Sequence, residues 1–364
     1  NFNEAGGFKN MGGAKIEIIK ADTTGAPEVG VTEIERLITK ENVSAVIGPY
    51  NSAVGSATAP IAEKYQTPYI LSNCTADEIL QTPYKYVYRA NHSNSNDAID
   101  IVNYLKYLRD NKENADFKKF AIVYENTDWG SGMSKALQKY LTEEYGGEIV
   151  VNEAYQANAA DFSSIINKIK SSGAEVTIPI AYFADALLFT QQMYELKCES
   201  IIFASSGGFT TPDYAQKVGE AGNYVLTVAA WDKSILPYKP EEATKLNEQY
   251  KAKYGEDLDG YAVNGYLAAA VMIGAIERAG SFDREKINEA LAATNLSTDD
   301  PALIFHPYTG LDFNGEVRGM THQNTKAQGI VLQVIDGEFK LVGPESLVGD
   351  KSELVWPIPP INER

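Results

Sequence analysis

The chain has 364 residues, of which 44% are hydrophobic and 22% charged, a composition ordinary for a globular protein and a length that calls for more than one core. Its 49 acidic residues against 32 basic ones give a formal charge of −17, with no dense basic run, which makes nucleic acid and anionic membrane surfaces poor partners. Two distant cysteines, Cys74 and Cys198, and no ligand-spaced Cys/His cluster argue against a zinc site or a disulfide scaffold, and no cofactor is expected. No apolar run reaches membrane-spanning length; the longest, "YLAAAVMIGAI" (266–276), fits a buried helix.

In chain order, "NFNEAGG" reads as the tail of a helix, so a leader and a first strand and helix are expected to be missing from this chain. "GGFKNMGG" has its glycines before a strand rather than after one and reads as a turn, not a phosphate loop. Strands are predicted at "KIEIIKAD" (15–22), "VSAVIGP" (43–49), "TPYILS" (67–72) and "KYVYRA" (85–90). Helices at 27–41 and 52–66 lie between them. "RANHSNSNDA" (89–98) has neither periodicity and reads as a connection between lobes. A second series follows, with strands at 117–125, 148–155, 175–182, 200–206 and 223–230 and helices at 132–146, 161–173, 184–197 and 211–222. Such alternation predicts an α/β fold of βαβ units with mainly parallel sheets. Beyond Trp231 come three helical patterns, then hairpin-like sequence at "GLDFNGEV" (310–317) and "GIVLQVIDGEFKLV" (329–342), with Asp336-Gly337 as a turn.

The predicted strands at 43–49 and 67–72 both stop in small polar clusters, "GPYNS" and "SNCT". Carboxyl ends of adjacent parallel strands are where open α/β sheets bind small ligands. Ser52 stands where a helix cap belongs, and Thr75-Ala-Asp-Glu78 matches a capping box. A helix N-terminus with a hydroxyl beside it also suits a carboxylate, so capping and binding are compatible. Tyr50 and Asn73 are their neighbours. In the second series "YENTDWGSG" (124–132), "AYFADA" (181–186) and "SSGGF" (205–209) follow strands and place Trp129, Tyr182 and Phe183 in loops, as core residues tucked beneath them or as the aromatic wall of a cleft. His92, His306 and His322 are out of helical reach of one another and read as surface or loop residues. No GxSxG, P-loop or HExxH motif is present, and catalysis is not expected.

These residues resemble the type I periplasmic binding proteins, specifically the branched-chain amino-acid (leucine/isoleucine/valine-type) solute-binding proteins of ABC transporters. The resemblance runs through "VIGPYNSAVGSATAPIAEKYQTPYI", "YVYRA", "AIVYENTDWGSG", "NGYLAAAVMIGAIERAG" and "GLDFNGEV" in that order. It implies two Rossmann-like lobes joined by a three-strand hinge, expected at 1–96 plus 230–318 and 97–229 plus 319–364, with a solute closed between them. It further implies an extracytoplasmic protein, periplasmic or lipid-anchored, that serves a membrane permease; a ligand-sensing receptor module of the same fold is the alternative. By resemblance the ligand carboxylate falls to Ser52, and the carboxylate and ammonium to Cys74 and Thr75. Trp129, Tyr182 and Phe183 match the family's aromatic positions. The family's acidic partner for the ammonium falls here on Ser206 or Gly207, which leaves Glu125, Asp128 or Asp185 to supply a charge and keeps a non-amino aromatic acid open as ligand.

Overall fold

The computed structural model describes residues 2–363. The chain forms two compact units, one from residues up to Ser93 with Tyr261–Leu303 and Tyr308–Ala327, the other from Asn94–Gly260 with Ile304–Pro307 and from Gln328 onward. Sequence reasoning drew the crossings at 96/97, 229/230 and 318/319. Residues 230–260 keep company with the second unit because Trp231 packs edge-on to Phe305 and Lys351 lies over the Tyr238 ring.

The first unit opens with α1 (Pro27–Thr39), β1 (Val46–Gly48), α2 (Ser52–Lys64), β2 (Tyr69–Leu71), α3 (Glu78–Gln81) and β3 (Val87–Arg89). The three strands form one parallel sheet in the order β1-β2-β3, with Gly48 beside Leu71 and Leu71 beside Arg89. Ile70 and Tyr88 enter one core while Tyr69, Leu71 and Val87 enter another, the two-faced burial of a parallel sheet. The strand expected at 15–22 does not form. Alternation supplies only side chains, whereas a strand also needs a neighbour for its backbone. Here the Ile16 N–H and C=O are both bonded at 2.8 Å by the side-chain amide of Asn3, and Ile18 is 77% exposed. "GGFKNMGG" is a turn, closed by an antiparallel bridge between Phe8 and Ala14.

The second unit begins with α4 (Asn94–Asn111), a helix that sequence reading did not place. Its first turn, Asn94 to Asp97, was taken for a connection because it is wholly polar; yet all four residues are buried, and Ile101, Val102, Leu105 and Leu108 continue the inward face. Then follow β4 (Lys119–Glu125), α5 (Asp128–Tyr140), β5 (Glu148–Tyr155), α6 (Ser163–Ser172), β6 (Val176–Ile180), α7 (Phe183–Glu195), β7 (Ile201–Ala204), α8 (Tyr214–Val218), β8 (Leu226–Ala229) and α9 (Glu241–Tyr254). Alternate residues of β4 divide between two cores, Phe120 and Ile122 on one face, Ala121 and Val123 on the other.

Two further helices, α10 (Gly260–Ala279) and α11 (Arg284–Ala292), cover the first unit's sheet through Leu267, Val271, Ala275, Ile287 and Leu291. Among the described residues no helix is long and apolar enough to cross a membrane. The stretch 310–317 is not itself a hairpin: Leu311–Asp312 pairs back to Asn295–Leu296, and Glu316–Val317 pairs with Met320–Thr321. The last hairpin, β-strands Ile330–Ile335 and Glu338–Gly343, completes a seven-stranded sheet, its first strand antiparallel to β8. Asp336 and Gly337 turn it with φ of 51° and 76°, the pair of positive values that suits a two-residue hairpin. A Cβ at Gly337 would meet nothing closer than 3.8 Å. Gly337→Ala therefore isolates backbone strain, and urea unfolding is expected to show a loss of about 1 kcal/mol with an unchanged m-value.

Candidate functional site

In the first unit, the parallel register of β1 and β2 brings both strand-end loops together. The Ser72 N–H donates to Gly48 O and the Asn73 N–H to Pro49 O, each at 3.3 Å. Ser52 is the first residue of α2, not its cap; Asn51 takes the cap position and its side chain bonds no first-turn N–H. The buried Ser52 hydroxyl instead accepts from the N–H of Thr75 at 3.2 Å and of Ala76 at 3.3 Å. A hydroxyl has two acceptor lone pairs and one proton. With both lone pairs engaged, Ser52 is left as a donor at the N-terminal end of a 13-residue helix whose cap side chain is uncommitted to it. That end attracts negative charge.

Thr75 is not a capping-box residue. The helix that follows is only the four residues of α3, with Asp77 in the cap position and no side-chain cap bond. The loop is instead held from beneath by Arg89, fully buried at the end of β3. Its guanidinium donates to Cys74 O at 3.2 Å and Ala76 O at 2.8 Å, and to the side chain of Gln323. Burial lowers its pKa to about 10, which leaves it charged at neutral pH. Sequence reasoning missed this residue, and the only signal for it was an arginine ending an otherwise buried strand.

Cys74 points inward. Its thiol lies 3.4 Å from Pro49 O and 3.2 Å from Asn51 O, and burial pushes its pKa up to about 12. It also fills the space a side chain at residue 55 would need, because a Cβ on Gly55 would sit 2.7 Å from Sγ. Tyr50 is exposed and edge-on to Tyr261 at 5.1 Å, while Asn73 Oδ1 accepts from Asn264 Nδ2 at 3.0 Å. Tyr50, Ser52, Asn73 and Thr75 thus share one shelf. Cys74 supports it from below through packing.

In the second unit, β4, β6 and β7 are parallel neighbours, so the three expected loops also meet. Trp129 lies in the first turn of α5 rather than in a loop, because Thr127 caps that helix by accepting from the Gly130 N–H at 3.2 Å. Its ring packs on Tyr182 with centroids 4.9 Å apart. Gly207, at φ 58°, runs against the same ring: a Cβ there would come within 2.4 Å of Trp129 Cη2. Phe183 departs from the group, packing into the opposite core with Lys217 over its ring. Trp129, Tyr182 and Gly207 form one surface, with the half-buried Tyr182 outermost.

The three acidic candidates separate. Asp128 is exposed at the start of α5. Asp185 is spent on structure, each oxygen accepting a backbone N–H, from Asn158 and Ala159, at 3.0 Å. Glu125 is buried at the end of β4; desolvation, then the Asp185 charge, raise its pKa to about 7. Beside Gly207 the structure places an acid that sequence reasoning did not name: buried Asp97, whose Oδ2 accepts from Ser206 Oγ at 3.0 Å. The polar run 91–97 was its only signal. The histidines are not surface residues: His92 and His306 are buried, and half-buried His322 stacks on Tyr88 at 4.3 Å. Burial, with Arg89 adding to it, takes His92 down to about 4, so it is neutral at pH 7. Among the described residues no group of three or more His, Cys, Asp or Glu is arranged to hold a metal ion.

The family model for "Periplasmic binding protein" matches residues 1–336. The Leu/Ile/Val-binding protein homolog 7 of Brucella abortus (strain 2308) is 30% identical over 353 residues, covering 94% of this chain and 84% of the relative. Among solved structures, a leucine-binding protein, LivK, from Thermotoga maritima superposes with a TM-score of 0.77 at 25% identity, over 92% of this chain and 90% of that one. An ABC-transporter solute-binding protein from R. palustris in complex with benzoate gives 0.76 at 21% identity, over 93% and 87%.

Two measurements follow from the buried groups. Cys74 and Cys198, both buried with raised pKa values, are expected to resist a thiol reagent at pH 8 in the folded protein and to react fully in denaturant. Rapid labelling of Cys74 would show that the loop opens. Glu125 carries the second. Between pH 4.5 and about 7 the unfolded chain has released this proton while the folded chain retains it, so stability falls as pH rises through that window. Glu125→Gln is expected to raise Tm at pH 8, by about 2–4 °C per kcal/mol relieved, and to match wild type at pH 4.

Proposed function

Because the chain belongs to the periplasmic binding protein family, we propose that it is the solute-binding component of an ABC importer. It captures a small carboxylate-bearing solute of branched-chain or hydrophobic amino-acid type outside the cytoplasm and delivers it to a membrane permease. The observation that carries this reading is Ser52, made a donor by its two accepted bonds and set at the start of α2. A carboxylate there receives a charge-assisted bond as well as the helix's positive end. In the second unit Tyr182, backed by Trp129, offers an aromatic surface of the kind that packs an apolar side chain. The leucine-binding structural relative supports the ligand class.

An aromatic acid without an amino group is the second reading. It is favoured by the same Trp129–Tyr182 pair and by the benzoate-bound structural neighbour.

Thermal shift followed by calorimetry tests both, using leucine, isoleucine, valine and phenylalanine beside benzoate, a sugar and a polyamine. A binder is expected among the carboxylates, raising Tm by mass action. Ser52→Ala is expected to weaken it by at least about tenfold, the worth of a charge-assisted hydrogen bond. The same change costs stability, because it also strips a partner from the N–H groups of Thr75 and Ala76. Thr75→Ala is expected to weaken binding with a smaller drop in Tm. Binding of the sugar or polyamine alone would sink the proposal.

A further inference from the structure

The apolar run of α10, "YAVNGYLAAAVMIGAI" (261–276), carries no charged residue and one carboxamide, Asn264. It is buried, as are Val263, Leu267 and Ala268 around it. An amide taken out of water is costly without a partner. The partner is 191 residues away in the chain: Asn264 Nδ2 donates to Asn73 Oδ1 at 3.0 Å. Three residues earlier, on the same helix face, Tyr261 meets Tyr50 edge-on. The first turn of α10 is therefore seated against both strand-end loops of the first unit, "GPYNS" through Tyr50 and "SNCT" through Asn73.

This contact decides which way the Asn73 side chain faces. A carboxamide has an acceptor end and a donor end. The Asn73 backbone is pinned by its N–H donating to Pro49 O at 3.3 Å, and its side-chain oxygen is drawn to α10, so the amino group is turned away from the helix. The acceptor that Nδ2 meets is Ser72 Oγ at 3.5 Å, longer than such a bond normally runs. Asn73 is only half-buried, and a donor so loosely held is free to serve a ligand. Ser52 reaches the same character by another route, its lone pairs taken by the N–H groups of Thr75 and Ala76. Two donors thus stand on one shelf.

We propose that Asn264 is a positioning residue for solute binding: it acts through Asn73, turning that amino group out as the shelf's second donor, so that the first unit selects a head group with two acceptor oxygens. This rests on the solute-binding reading above and deepens it. A carboxylate satisfies both donors. A primary amide has one oxygen and sets an amino group against the other donor.

The test is calorimetry at pH 7 on the whole chain, using leucine, valine, phenylalanine and benzoate and the primary amide of each, in wild type, Asn73→Ala, Asn264→Ala and the double variant. Each single change is expected to weaken the acids that wild type binds by about tenfold and to narrow their margin over the matching amides. The double variant is expected to be no weaker than Asn73→Ala alone, because Asn264 acts through Asn73. Asn73→Asp controls for folding: its carboxylate still accepts from Asn264, so Tm is expected to hold while affinity for the acids falls. Acid affinities within about twofold of wild type in Asn264→Ala, or losses that multiply in the double variant, overturn the proposal and leave the importer reading standing. A lower Tm in Asn264→Ala with an unchanged acid-to-amide ratio does the same. Failure of wild type to bind any of the four acids overturns both.

Discussion

The first unit's strand-end shelf depends on one buried cation. Arg89 ends β3 and reaches across to the carbonyls of Cys74 and Ala76, with Gln323 on its other side. A guanidinium in that position is expensive to desolvate and, although the charges of Asp77 and Glu78 favour it, burial still lowers its pKa, so every bond it donates has to be kept. The consequence reaches the surface. With the two carbonyls fixed from below, the N–H groups of Thr75 and Ala76 face Ser52, which accepts both, and this determines which way the Ser52 proton points. The orientation of the Ser52 hydroxyl is thus set by a residue that lies beneath the loop.

The second unit reaches a similar result through packing. Its loops converge because three parallel strands end side by side, but their spacing is set by the Trp129 ring, against which Tyr182 packs at a tilt and Gly207 runs without a side chain. A glycine there serves contact before conformation: the gap to the indole leaves no room for Cβ, and the positive φ is an additional reason. Ser206 is thereby held in reach of Asp97, so that an aromatic contact positions a polar one.

Much of this was legible in the sequence. The alternation of patterns gave the α/β class, the paired strand ends gave the shelf, and Asp336-Gly337 gave its turn with the expected dihedral signs. What failed did so for identifiable reasons. Lys15–Asp22 has a strand's alternation but no paired neighbour, and pairing is a property of other segments. Asn94–Asp97 has a loop's composition but lies in a buried helix, where hydrogen bonds to Trp129 and to Ser206, from 35 and 109 residues away, anchor it. Arg89 and Asp97 belong to residue types seldom buried, so composition argues against them until their partners are seen. The site's acids could not be sorted by position either: Asp185 is consumed by two backbone N–H groups that no spacing rule reveals.

The seat of Cys74 carries a further consequence, for how this sequence can change. Its sulfur occupies the volume that a side chain at residue 55 would need, so glycine at 55 and the present bulk at 74 are a matched pair on two elements. An alanine at 55 becomes admissible only after residue 74 has shrunk, and a larger residue at 74 is barred unless α2 shifts. The two positions are therefore expected to drift together among descendants of this chain, the order of their changes being constrained. Since α2 starts at Ser52, any drift that moved the helix would also carry away the hydroxyl that accepts from the N–H groups of Thr75 and Ala76.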